Sequence, residues 1–72
     1  MKNYSIYFSS LNGPEKHSNF TGTRQQVIDH MKALYKEYSG ENSPEILDKS
    51  NRRYDAIIIR GEAEGCYSAT SD

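Results

Sequence analysis

Apolar and polar residues alternate over Asn3 to Ser9, with Tyr4, Ile6 and Phe8 on one side and Ser5, Tyr7 and Ser9 on the other. A period of two is that of a half-buried strand. Ser10-Leu11-Asn12-Gly13-Pro14 follows as a turn, because Asn-Gly tolerates positive φ and Pro14 cannot donate to a ladder. The chain then returns over Glu15 to Thr21 as a second strand, whose only large apolar side chain is Phe20. So polar a strand belongs at a sheet edge.

The pattern next changes to a helical period. Val27, Met31, Leu34 and Tyr38 fall at i, i+4, i+7 and i+11, and Ile28 and Tyr35 widen the stripe. Thr23 with Gln26 forms a capping box, and Gly40 stands where a left-handed cap ends the helix, which is predicted over 24–39. Arg24, Gln25, Asp29, Lys32, Lys36 and Glu37 occupy the opposite, solvated face. Ser43-Pro44-Glu45 repeats the start signal on a smaller scale and predicts one helical turn around Ile46 and Leu47. A polar linker, Asp48 to Arg53, leads to a third strand over Tyr54 to Arg60, apolar on both faces and therefore central.

Gly61 to Gly65 reads as a turn, after which Cys66 to Thr70 is either a fourth strand beside the third or a flexible tail. The expected fold is a two-layer α+β domain of ββαβ(β) type, a single domain over 1–72. It has a mainly antiparallel sheet of 3-4 strands in the order 2-1-3-4, with one amphipathic helix on one face. One helix covers one face only. Tyr7 and two apolar residues of the third strand then need another cover, supplied by a partner or by the 41–53 segment.

With 72 residues, the chain has little room for a deep pocket beside a core. Its net charge of -1 removes the global basic footprint of a protein held to nucleic acid mainly by phosphate contacts. The longest apolar run is Ala56 to Ile59, far below the roughly 20 residues that span a bilayer, and the N-terminus lacks a signal-peptide core. The expectation is a soluble, cytoplasmic protein without membrane contact. The single Cys66 makes no internal disulfide.

No residue set specifies a chemistry. His17, His30 and Cys66 lack the paired spacing of a zinc site, and Cys66 has neither an elbow motif nor an orienting acid. Glu62 and Glu64 lie in a turn, where solvated charge explains them better than paired catalytic acids. The five glycines match neither GxGxxG nor the P-loop. An enzyme, a metal and a cofactor are therefore not expected.

Two features point outward. Lys49-Ser50-Asn51-Arg52-Arg53, with Lys2 and Arg60 as candidate neighbours and Tyr54 adjacent, is the one local basic cluster, unless the acidic 61–72 segment neutralises it. The six tyrosines are the other, since tyrosine offers rigid contact area at interfaces. Tyr4, Tyr35 and Tyr38 are expected at the helix–sheet border, half buried. Tyr7, Tyr54 and Tyr67, with Arg52, Arg53 and Arg60, are the candidate partner-binding residues.

No family motif stands out. In design, a tiny near-neutral α+β domain without a catalytic set is similar to small phage or mobile-element inhibitors, anti-CRISPR proteins among them; the likeness covers architecture and no residue motif. It implies a non-catalytic protein that occludes a surface of a larger protein or nucleoprotein complex. The alternative is a nucleic-acid-binding module using the basic 49–60 region. Homodimerisation through the open face or the fourth-strand edge fits either reading.

Overall fold

The computed structural model describes residues 1–11 and 13–71. The chain forms β1 (Lys2–Ser9), β2 (Lys16–Gly22), α1 (Arg24–Ser39), β3 (Glu45–Asp48), β4 (Ala56–Arg60) and β5 (Cys66–Ser71). The strands make one five-stranded antiparallel sheet in the order β2-β1-β5-β4-β3. The α+β class, the β1–β2 pairing and the single helix agree with the sequence pattern. Asn12, half of the expected Asn-Gly turn, lies outside the described residues.

The sheet has five strands rather than three or four, for two reasons. The expected helical turn at Ser43-Pro44-Glu45 is instead the entrance to β3, whose Ile46 and Leu47 pair with Ile59 and Ile58. Cap signals act locally and weakly, whereas an unpaired β4 would leave its backbone open beside two fully buried isoleucines, Ile57 and Ile59. Pro44 fits at the start of a short edge strand. The segment beginning at Cys66 is β5, and it inserts between β1 and β4, so the expected order 2-1-3-4 is corrected.

That central place depends on small side chains. Ala69 stands opposite Ile6 on one side and Ile57 on the other, and is fully buried beneath the helix. The helix covers this face with Val27, Ile28, Met31 and Tyr35, all buried, while Leu34 is intermediate and Tyr38 is on the exposed rim. Tyr4 and Tyr35, expected half buried, are fully buried.

Both helix ends form as the residues dictate. Thr23 Oγ1 accepts from the Gln26 N–H at 3.2 Å, and the Gln26 side chain accepts from the Thr23 N–H at 2.9 Å. Gly40 closes the other end at φ 82°, its N–H donating to the Lys36 carbonyl at 2.7 Å. No helix among the described residues is long and apolar enough to cross a membrane.

Candidate protein-docking face

The strand registers fix which side chains share the face opposite the helix. His17 of β2 stands opposite Tyr7 of β1, Tyr7 opposite Ser68 of β5, Ser68 opposite Ile58 of β4, and Ile58 opposite Leu47 of β3. One row thus crosses all five strands. β3 extends the sheet sideways instead of folding across it, so among the described residues no element covers this face. Tyr7, Ser68, Ile58 and Leu47 are half-buried by their neighbours alone.

Alternation also makes the face nearly free of charge. The adjoining row is Asn19, Ser5, Thr70 and Ala56, and at the far corner Glu45 pairs with Arg60, Oε1 to Nε at 2.7 Å. A solvated sheet face commonly carries charged side chains, whereas interface cores are depleted of them and enriched in Tyr. Tyr7 packs on His17 with ring centroids 4.7 Å apart, and the nearby Glu15 carboxylate raises the phenol above its ordinary range. The ring is held in place on the sheet surface.

The candidate residues divide among four places. Tyr7 lies on the uncovered face. Tyr67 points the other way, opposite Phe8 with ring centroids 4.7 Å apart, in a groove of about 460 Å³ between the sheet and the C-terminal half of α1. Burial raises its phenol. Arg52, Arg53 and Tyr54 sit at the tip of the β3–β4 connection, while Arg60 is at the opposite end of β4, engaged by Glu45. Ile58 and Leu47 complete the apolar row; the period-two pattern singled out Ile58 but could not supply Leu47 while its segment was read as helical.

The two histidines lie on opposite faces, His17 against Tyr7 and His30 stacked on Phe20 at 4.6 Å, with planes 19° apart. Cys66 is paired in register with Ser9 and half-buried. The Glu62 N–H donates to the Glu41 carboxylate at 2.8 Å, which pins the β4–β5 turn. Among the described residues no group of three His, Cys, Asp or Glu side chains converges as a metal site. No protein-family model, curated protein or solved structure matches the chain, so its functional reading rests on its own residues.

Proposed function

We propose that this chain is a non-catalytic binding protein that docks its uncovered sheet face on a larger protein or nucleoprotein complex and occludes the surface beneath. The observation that supports this is the row His17, Tyr7, Ser68, Ile58 and Leu47, an uncharged strip running the width of the sheet without a covering layer. Tyrosine and branched aliphatic side chains there offer contact area with little conformational entropy to lose.

Size bounds the interface. Five strands at about 4.8 Å, each contributing roughly five residues at ~3.3 Å, give a face of about 400 Å². A standard interface covers about 800 Å² on each partner. The docked partner therefore also covers loops bordering the face.

The test compares three forms of the full chain as bait in a nuclease-treated lysate of the native host. These are the wild type, a Tyr7→Ser/Ile58→Lys variant, and Ala33→Gln on the exposed side of α1. The wild type and Ala33→Gln retain the same stoichiometric protein. The face variant loses it at least about tenfold, since hot-spot truncation costs about 2 kcal/mol or more. Equal retention by all three forms, or no protein retained after nuclease, contradicts the assignment.

A further inference from the structure

The near-zero net charge conceals a polar distribution along the strands. The topology gathers Lys2, Arg24, Lys49, Arg52 and Arg53 at the end where β1 and α1 begin and β3 and β4 are joined. Glu15, Glu41, Glu45, Glu62 and Glu64 lie at the other end, among the β1–β2, α1–β3 and β4–β5 connections. β4 alone places about 13 Å between Ala56 and Arg60, and the Arg52–Arg53 tip lies beyond Ala56. That exceeds the Debye length of about 8 Å at physiological salt. Glu62 and Glu64 therefore stand too far from the basic cluster to neutralise it, while Asp72, the remaining acid of the 61–72 segment, lies outside the described residues.

Two of the cations have aspartate partners: Lys2 is 3.3 Å from Asp55, and Arg24 is bonded to Asp48. Lys49, Arg52 and Arg53 form no ion pair among the described residues. The backbone that carries them is tightly held. Asn51 Oδ1 accepts from the Arg53 and Tyr54 N–H groups at 2.7 and 3.1 Å, and the Asn51 N–H donates to the Tyr54 carbonyl at 3.0 Å. The Lys49 N–H donates to the Ala56 carbonyl at 2.7 Å, and Ser50 Oγ accepts from the Ala56 N–H at 3.1 Å. Tyr54, 41% exposed, stands beside the two arginines.

We propose that this hairpin tip is a contact site for single-stranded nucleic acid, with Lys49, Arg52 and Arg53 meeting phosphates and Tyr54 stacking on a base. A preorganised turn reduces the ordering cost of binding. A projecting aromatic matches an unstacked base, as in proteins that combine a basic track with stacking platforms. The site is independent of the sheet-face reading and stands or falls separately from it.

The probe is a fluorescein-labelled oligothymidine of about 12 nucleotides, followed by anisotropy across a salt series with the full chain. Three phosphate contacts predict that log K falls against log salt with a slope of about -2. Arg52→Ala/Arg53→Ala weakens binding at least about tenfold and flattens the slope by about 1.4. Tyr54→Leu weakens binding about fivefold or more with the slope unchanged. All three positions are exposed, and unchanged thermal melting shows that the fold is kept. Absence of binding at low salt, equal binding by the arginine variant, or tighter binding to phosphatidylserine vesicles or an acidic peptide overturns the proposal.

Discussion

Ser71 and Asp55 hold each other by two hydrogen bonds: the Ser71 N–H donates to the Asp55 carbonyl at 3.0 Å, and Ser71 Oγ accepts from the Asp55 N–H at 2.9 Å. The Asp55 carboxylate in turn accepts from the Tyr4 hydroxyl at 2.8 Å and from Lys2 at 3.3 Å. The end of β5, the start of β4 and the start of β1 are thereby joined at the basic end of the sheet. This junction holds β5 in its central position.

The junction makes stability depend on pH at both extremes. Hydrogen bonding from Tyr4 holds the Asp55 carboxyl below its ordinary range, so its contribution is present above the unfolded carboxylate value and is lost as pH falls through the folded one. Tyr4, pushed up to about 12 by burial and then by Asp55, contributes fully below its unfolded value of about 10 and loses that contribution as pH rises through 12. Tyr4→Phe removes the bond and costs about 1–3 kcal/mol at neutral pH. Urea unfolding is expected to show a wild-type advantage that narrows as pH falls below the ordinary carboxylate range and as pH rises from about 10 through about 12; a gap independent of pH contradicts this.

Ala69 has no room to grow. Enclosed between Ile6 and Ile57 under the helix, it is predicted to cost about 1–3 kcal/mol when replaced, Ala69→Leu lowering the melting midpoint by several degrees. Melting followed by circular dichroism measures it. An unchanged midpoint would mean that the helix rides higher over β5 than its buried alanine indicates.

The Tyr35 hydroxyl is buried without a hydrogen-bond partner among the described residues; Ser39, Glu41 and the Ala63 backbone approach it without closing a bond. Burial raises its pKa. An unsatisfied buried hydroxyl costs about 1–3 kcal/mol, so Tyr35→Phe is expected to leave stability unchanged or increase it. Chemical denaturation of the two forms tests this, and a loss above about 1 kcal/mol would reveal a hydrogen bond to the hydroxyl.

Helix α1 was legible because its signals are local and agree: Thr23, Gln26, the apolar stripe and Gly40 all mark one element. Thr23→Ala should accordingly cost about 1 kcal/mol, read from the urea midpoint. β1 was legible for the same reason. β3 was not, because Ser43-Pro44-Glu45 carries a genuine helix-start pattern that long-range pairing with β4 overrides. β5 was legible only as either a strand or a flexible tail, and not as a central strand; its small and polar residues look peripheral until Ala69 and Ser71 are seen beneath the helix. Of the candidate site, Tyr7 and Ile58 could be placed on the uncovered face by alternation, whereas Leu47 needed the register of β3.

The free edges follow from the same strand order. With β5 interior, its edge is closed, and the outer strands are β2 and β3. β2 carries polar Lys16, His17, Ser18 and Asn19, and β3 is short with Glu45 and Asp48 at its ends, both devices that discourage strand addition. Homodimerisation by edge pairing through β5 is excluded by this order.

Site-specific photo-crosslinking tests the docking face most directly. A photo-reactive amino acid is placed at position 58, in the centre of the uncovered row, and separately at position 33, on the exposed side of α1; each form is irradiated in the native host. A single defined protein adduct from position 58, absent from position 33 and unaffected by nuclease, is the predicted result. Adducts of equal yield and identity from both positions, or none from position 58, would contradict the assignment of the sheet face as the docking surface.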